Sequence, residues 1–149
     1  MKLLPFSQEH VWAVAHLEVE CFSEPWSERS LREELTNPLA RVWVAVRDGN
    51  VLGYAGMRCV AGEAYINNVA VFPQYRRQGV ARALMEQLIL QAQEDCAFIT
   101  LEVRASNEAA LLLYHGLGFE VKGLRRDFYI MPTEDAVIMT KYFGKDGKA

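Results

Sequence analysis

The alternation of apolar and polar residues divides the chain into helical and extended segments of ordinary length. Between Ser7 and Phe22 the apolar residues recur at three- and four-residue spacing, which predicts an amphipathic helix. A second, shorter helix is predicted after Ser27, a residue type that favours the N-cap position. Trp26 and Leu31 stand just before this cap and four positions after it, which is the spacing of a hydrophobic staple.

Period-two patterns follow and predict strands. The stretch 41–60 alternates, turns at Asp48-Gly49-Asn50 and returns, which is typical of a hairpin. A third strand is predicted over 63–72 and ends at Pro73. The next helix carries apolar residues at every fourth position, and a strand over 97–105 follows it. Because a helix separates these two strands, we expect them to be parallel neighbours.

The rest of the pattern completes a three-layer fold. A short helix is predicted over 106–119 and two closing strands over 119–124 and 135–143. Together these elements predict an α/β (α+β) domain, in which helices cover both faces of a mixed, mostly antiparallel sheet with a central parallel pair. No repeat or linker interrupts the pattern, so we expect one domain over 1–143 and a polar tail over 144–149.

Composition and charge exclude several function classes. The 149 residues suffice for one domain with its own core, and a net charge of -3 gives no general attraction to nucleic acid. Cys21, Cys59 and Cys96 are odd in number and form no CxxC pair, so we expect neither disulfides nor a metal site. The N-terminal apolar run is too short for a signal peptide, and no segment has the length of a membrane span. These features favour a cytoplasmic protein without a membrane or nucleic-acid partner.

A glycine turn with clustered arginines, "YRRQGVARALMEQLI" over 75–89, opens the helix that follows the third strand. Arg76, Arg77 and Arg82 lie near the helix N-terminus, where the helix dipole disfavours positive charge, so the cluster indicates a bound anion. Backbone N–H groups of such a turn bind phosphate, and Gly79 has no side chain to keep the phosphate away. The alternative is an ordinary strand–helix connection with solvated arginines. Neither a Walker pattern nor a dinucleotide-binding pattern is present.

The spacing Arg76-x-x-Gly79-x-Ala81 resembles the acetyl-CoA pyrophosphate loop of the GCN5-related N-acetyltransferases (GNAT), and the order of the predicted elements matches that family over nearly the whole chain. The resemblance implies acetyl-CoA as cosubstrate, with no metal. It also implies that the end of the preceding strand offers backbone groups to the pantetheine arm. The implied cofactor contacts are Val69, Ala70, Val71, Arg76, Arg77, Gln78, Gly79, Val80, Ala81 and Arg82.

Two further stretches, "LEVRASN…A…LY…LGF" and "FSEPWSE", are similar to the bacterial ribosomal-protein alanine N-acetyltransferases, the RimI type within that family. This resemblance implies that Glu102 is the general base, Tyr114 the general acid to the coenzyme A sulfur, and Asn107 a cofactor contact. The residue types suit the reaction, because a carboxylate can take a proton from an amine and a tyrosine can protonate a leaving thiolate. Without the resemblance, Glu102 fits an exposed strand carboxylate, Tyr114 a packing aromatic and Asn107 a helix cap.

The implied acceptor is a protein N-terminus, the alanine of ribosomal small-subunit protein eighteen. Another N-terminus, a lysine side chain or a polyamine remains an alternative, as does a non-catalytic acetyl-CoA-binding module. Glu102 and Tyr114 together argue against the binding module, which needs neither, and no cysteine stands in a nucleophile motif, which favours direct transfer. Four glutamates near the second helix either attract a basic peptide or form a solvated helix face: Glu24, Glu28, Glu33 and Glu34.

Overall fold

The computed structural model describes residues 1–144 and contains a seven-stranded sheet with a pair of helices on each face. The strands are β1 (Lys2–Pro5), β2 (Ala40–Arg47), β3 (Asn50–Val60), β4 (Glu63–Val71), β5 (Phe98–Arg104), β6 (Glu120–Ile130) and β7 (Thr133–Tyr142). The helices are α1 (Val11–Cys21), α2 (Glu28–Leu35), α3 (Val80–Asp95) and α4 (Glu108–Gly116), with single 3-10 turns at Gln8–His10 and Pro73–Tyr75. Residues 145–149 of the predicted polar tail lie outside the described residues.

The strand order is β1-β2-β3-β4-β5-β7-β6, and β4 and β5 are the parallel neighbours in an otherwise antiparallel arrangement of residues 1–144. This confirms the predicted mixed sheet with a central parallel pair. The strand β1 was not predicted, because four residues without alternation give no period-two signal. It forms the sheet edge by pairing with β2, where Leu3 lies opposite Ala45.

Two apolar cores cover the two faces of the sheet. On one face α1 and α2 pack through Val11, Val14, Leu17 and Leu31 against residues of β2, β3 and β4. On the other face α3 and α4 pack against the sheet. The predicted buried face of α3 is confirmed and includes one further residue: Val80, Leu84, Met85, Leu88 and Ala92.

The predicted start of α2 is confirmed in detail. The hydroxyl oxygen of Ser27 accepts a hydrogen bond of 3.1 Å from the backbone N–H of Ser30, as expected for an N-cap. Trp26 and Leu31 both pack into the core on the α1 and α2 face, as expected for a hydrophobic staple. In the same face, α1 begins one turn later than predicted, because Gln8–His10 forms a 3-10 turn closed by a capping box with Ser7.

The sheet opens at its centre. Within residues 1–144, β4 and β5 pair over 63–65 and 98–100, and beyond Tyr65 the two strands diverge. A bulge at this point inserts Asn67 between the residues that face β3. Val69 and Val71 stay paired with β3 while their other edge faces the opening. We call this opening, between the carboxyl ends of β4 and β5, the central gap. Also within residues 1–144, no helix combines the length and apolar character needed to cross a membrane.

Candidate active site

The turn between β4 and α3 forms a concave backbone surface beside the central gap. Arg77 and Gly79 adopt positive φ values of 63° and 80°, and Gly79 is the N-cap of the 16-residue helix α3. A Cβ placed on Gly79 would meet no heavy atom within 4 Å, so the space in front of this backbone is open. Free N–H groups at a helix N-terminus, together with a turn of this kind, attract phosphate. The turn therefore fits the pyrophosphate that the sequence predicts here.

The arginines of this turn do not all face the same way. Arg77 and Arg82 are exposed, and Arg82 lies beside Gly116 of α4, with an ion pair of 3.8 Å to Glu86. Arg76 instead folds back onto the end of β4, where its Nε donates to the carbonyl of Val71 at 3.1 Å. Of the three predicted arginines, Arg76 is thus engaged at the end of β4, and Arg77 and Arg82 remain exposed.

Gln78 and the β4 residues complete the predicted cofactor surface. The side-chain oxygen of Gln78 accepts a hydrogen bond of 3.1 Å from Arg47, which ties the turn to β2. Val69 and Val71 pack toward the α3 side of the sheet, while Ala70 packs toward the α1 side. Their peptide groups therefore remain at the strand edge that borders the central gap. The carbonyl of Val71 already accepts from Arg76, so this group is not free for a ligand.

Glu102 lies at the mouth of the central gap and is held on both of its oxygens. Its neighbours Leu101 and Val103 are buried in the core on the α3 side, which turns Glu102 toward the opposite face. The Tyr65 hydroxyl donates to Oε1, and Arg125 Nε lies 2.9 Å from Oε2. The Glu102 side chain is 8% exposed. The Glu102 carboxylate is therefore held in position by two partners. It is not the exposed strand carboxylate that the sequence offered as the alternative interpretation.

Tyr65 and Arg125 are functional candidates that the sequence did not indicate. Tyr65 is separated from Glu102 by 37 positions, and Arg125 comes from a strand two places away in the sheet. Burial, with the hydrogen bond to Glu102 as the second cause, raises the pKa of Tyr65 to about 12. The Tyr65 hydroxyl therefore stays protonated and continues to donate to the carboxylate at neutral pH.

Tyr114 packs into the core on the α4 side of the sheet. Its ring packs 5.8 Å from that of Phe119 and is 7% exposed. Burial, and secondly the nearby Tyr129, raises the pKa of Tyr114 to about 12. The Tyr129 ring lies under the Arg104 guanidinium at 4.4 Å, and burial together with the charge of Glu102 raises the pKa of Tyr129. Tyr129 therefore shares its electrostatic surroundings with both predicted catalytic residues.

Asn107 has the structural role that its position allowed. It is the N-cap of α4, and its side-chain oxygen accepts a hydrogen bond of 3.1 Å from the backbone N–H of Ala110. The residue is exposed beside the end of β5. Its place at the gap-side end of α4 is compatible with the predicted cofactor contact, which stays a prediction.

Three of the four glutamates named near α2 are engaged within the protein, and the fourth, Glu24, is exposed. Glu28 pairs with Arg32 at 3.1 Å and Glu33 pairs with an arginine four positions earlier, as on a solvated helix face. Glu34 is buried and lies 2.6 Å from Arg58 on β3. The solvated-face interpretation therefore holds for the first two, and Glu34 is part of the packing between α2 and the sheet.

Two histidines near the N-terminus are engaged in contacts within the protein. His10 belongs to the turn before α1, and His16 stacks on Trp12 at 5.8 Å. Among residues 1–144 no group of three or more His, Cys, Asp or Glu side chains is arranged to hold a metal ion.

Known proteins resemble this chain in sequence and in fold. The sequence model of the Acetyltransferase (GNAT) family matches residues 11–119. The ribosomal protein bS18-alanine N-acetyltransferase of Escherichia coli (strain K12) is 39% identical over 132 residues, which cover 85% of this chain and 87% of that protein. N-alpha-acetyltransferase RimI of Mycobacterium tuberculosis (strain ATCC 25618 / H37Rv) is 34% identical over 136 residues, covering 87% and 85%. The crystal structure of the ribosomal-protein-S18-alanine N-acetyltransferase from Escherichia coli superimposes with a TM-score of 0.87 at 32% identity, over 99% of both chains.

Proposed function

The chain belongs to the acetyltransferase (GNAT) family and is an acetyl-CoA-dependent N-acetyltransferase, and on this premise we propose that it acetylates the α-amine of a protein N-terminal alanine. The proposed acceptor is the small-subunit ribosomal protein bS18, for which the Escherichia coli relative is named. One observation carries the proposal: the Glu102 carboxylate is fixed at the mouth of the central gap, on the face opposite Tyr114.

The proposed donor site lies on the α3 side of the gap. Bound acetyl-CoA supplies the acetyl group as an activated thioester. The backbone of the turn around Gly79 and the free N–H groups of α3 hold the pyrophosphate, and Arg77 and Arg82 add positive charge. The free edge of β4 over 69–71 holds the pantetheine arm through its peptide groups. Arg76, whose side chain lies on the end of β4, contributes a third positive charge to this site. Asn107 contacts the cofactor from the start of α4.

The proposed reaction is a direct transfer at the gap. The acceptor nitrogen attacks the thioester carbonyl carbon, so that an N–C bond forms and the C–S bond breaks. The excess proton of the amine passes to the Glu102 carboxylate, and Tyr114 gives its proton to the leaving sulfur. The products are the acetylated amine and the free coenzyme A thiol, and the two side chains regain their states through solvent. A carboxylate has about four lone-pair sites, so Glu102 can accept this proton while Tyr65 and Arg125 hold it.

The pKa of the acceptor favours an N-terminus over a lysine. A peptide α-amine has a pKa of about 7.7–8.0 and a lysine amine one of about 10.4, so the α-amine is already partly neutral at pH 7. Each unit of difference costs about 1.36 kcal/mol in forming the neutral nucleophile. A carboxylate base suits the α-amine better for this reason.

A competition assay tests the proposed acceptor. A peptide that begins with alanine and continues with arginines is mixed with three competitors: its N-terminally blocked, lysine-containing counterpart, a peptide with a bulky first residue, and a free polyamine. Mass spectrometry then reads the acetylated position. We expect the alanine α-amine to be labelled first. Preferential labelling of lysine or polyamine would change the proposed acceptor and leave the enzyme class intact. Binding of acetyl-CoA without release of its thiol would favour the binding-module alternative.

A further inference from the structure

A buried carboxylate with no role in the proposed reaction lies near the end of α1. Glu18 is 1% exposed, and no salt bridge reaches it within residues 1–144. Its oxygens accept hydrogen bonds from the Trp26 backbone N–H at 2.9 Å, from the Asn68 side-chain amide at 2.7 Å and from the Tyr54 hydroxyl. Asn68 also donates to the Tyr54 oxygen at 2.8 Å.

These contacts join three parts of the molecule at one point. Trp26 belongs to the connection between α1 and α2, residues 22–27, which we call the α1–α2 connection. Asn68 follows the bulge of β4, on the part of the strand whose far edge is open at the central gap. Glu18 itself is on α1. The carboxylate therefore bridges the α1–α2 connection to the strand that borders the site.

Burying a carboxylate is unfavourable unless its hydrogen bonds are satisfied, and this one is buried without a positive partner in the described chain. Desolvation by burial raises the pKa of Glu18 even though all three hydrogen bonds favour the charged form. An apolar residue would pack α1 against the sheet without this cost. The bridge is therefore better explained by what it fixes in place than by its contribution to stability.

The bridge lies on the acceptor face of the sheet. Glu102 and Tyr65 point to the same face as α1 and α2, and the phosphate-binding turn and α4 lie on the other side. Trp26 and Asn68 also line a small apolar cavity together with Leu31. The α1–α2 connection thus lies on the same face of the sheet as Glu102.

We propose that Glu18 is a positioning residue that fixes the α1–α2 connection against β4 and so shapes the acceptor side of the active site. This inference rests on the proposed function. It requires that loss of the bridge weakens acceptor recognition and leaves acetyl-CoA binding intact.

The test compares Glu18→Ala with Glu18→Gln in the full chain. The alanine variant removes the bridge and leaves the donors on Trp26, Tyr54 and Asn68 without their acceptor. The glutamine side chain keeps an oxygen that accepts from the Trp26 N–H, and its amide N–H can donate to the Tyr54 oxygen. The Asn68 side chain must then turn its own oxygen toward this amide, because an NH2 group cannot accept the hydrogen bond that Glu18 accepts from Asn68. We expect the alanine variant to raise the KM for the alanine peptide about tenfold or more, with the Kd for acetyl-CoA unchanged, and the glutamine variant to restore most of this loss.

Leu88→Ala is the control for general destabilisation. Leu88 is fully buried on α3, away from the α1–α2 connection, so its truncation lowers stability without cutting the bridge. An acceptor KM that rises in this control as much as in Glu18→Ala would overturn the inference. So would a folded Glu18→Ala with an unchanged acceptor KM, or a Glu18→Gln as impaired as Glu18→Ala.

Two further arms keep the outcome decisive. If Glu18→Ala does not fold, Asn68→Ala is assayed in its place. This variant removes the contact of Glu18 with β4 and leaves its contact with Trp26. An unchanged acceptor KM in Asn68→Ala would overturn the inference. The wild-type chain is assayed first on the alanine peptide. Failure of that reaction contradicts the proposed function. The role of Glu18 is tested separately, by the ratio of the variant KM to the wild-type KM for whichever amine the wild type acetylates.

Discussion

Arg125 of β6 reaches across β7 and places its Nε 2.9 Å from Oε2 of Glu102 on β5. The two residues pair with Ala136 and Ile138 of β7, so the guanidinium spans the intervening strand on the acceptor face. The closing hairpin of the chain thereby orients a carboxylate that belongs to the strand before α4. Replacement of the carboxylate and of its partners should therefore have separable effects.

Glu102→Gln keeps the shape of the side chain and removes the proposed base. We expect kcat at pH 7 to fall by about 10²–10⁴-fold, the usual contribution of a general base, with little change in acetyl-CoA affinity. Raising the pH should restore part of the rate, because the amine then loses its proton to solvent. Steady-state kinetics across pH and calorimetry with acetyl-CoA measure these effects. Glu33→Gln, in a surface pair on α2, is the matched control, and near-normal turnover of Glu102→Gln at neutral pH would reject the assignment.

Tyr65→Phe removes the hydroxyl that donates to Oε1 of Glu102. A hydrogen bond to a charged group contributes about 1.5–3 kcal/mol, so we expect kcat/KM to fall about tenfold or more, yet by less than in Glu102→Gln. Tyr142→Phe is the control, since Tyr142 packs on Phe98 at the closed end of the parallel pair. Equal rates for Tyr65→Phe and the wild type would show that Arg125 alone is sufficient to hold the carboxylate.

Gly79→Val should weaken acetyl-CoA binding. A side chain here occupies the open space before the turn, and the φ of 80° is strained for a β-branched residue. Gly62→Val carries the same conformational strain, at a φ of 81°, in the β3–β4 turn at the other end of the sheet. We therefore expect similar losses in thermal stability for both variants and a raised Kd for acetyl-CoA by calorimetry in Gly79→Val alone. A similar Kd in both variants would remove the turn from the donor site.

Tyr114→Phe keeps the ring in its contact with Phe119 and removes the proposed proton donor. We expect kcat to fall by about 10²-fold or more, with acetyl-CoA still bound. Single-turnover measurements of thiol release, with a saturating alanine peptide, isolate the step that the tyrosine serves. A rate equal to that of the wild type would transfer the acid role to another group, and Tyr129 is then the next residue to replace.

The decrease in the free energy of unfolding at high pH provides a separate test of the Tyr114 environment. Its pKa is raised to about 12 in the folded chain, against about 10 in an unfolded one, so the folded state binds this proton more tightly. The resulting stabilisation is complete below pH 10 and is lost as the pH rises toward 12. Denaturant unfolding over this range should show a steeper decline for the wild type than for Tyr114→Phe. Parallel declines would mean that the hydroxyl is well solvated.

Sequence patterns predicted those features whose signals lie within a few residues of one another. The buried face of α3, the hairpin turn before Asn50 and the cap at Ser27 each follow from local spacing or local backbone preference. The turn around Gly79 belongs to the same group, because its glycine, its arginines and the following helix are contiguous. The predicted central parallel pair followed from the helix that separates its two strands.

The same patterns could not predict contacts between segments that are distant in the sequence. Nothing near Tyr65 in the chain indicates that its hydroxyl meets Glu102, and nothing in the run of arginines indicates that Arg76 turns back to Val71. The buried partners of Glu18 depend in the same way on how α1 packs over β3 and β4. Such side chains are placed by tertiary packing, which local propensity does not encode.

The short pairing between β4 and β5 also makes the middle of the sheet the boundary at which its two halves are least connected. In the described chain, strands β1–β4 and strands β5–β7 meet through the pairs of 63–65 with 98–100, and α3 packs across both halves. A ligand seated in the central gap would join the two halves and resist their separation. At 100 times its Kd, acetyl-CoA should raise the free energy of unfolding by about 2.7 kcal/mol. We expect the added protection against hydrogen exchange to be greatest on the two strand segments that border the central gap, 66–71 and 101–104, and weakest at the outer strands.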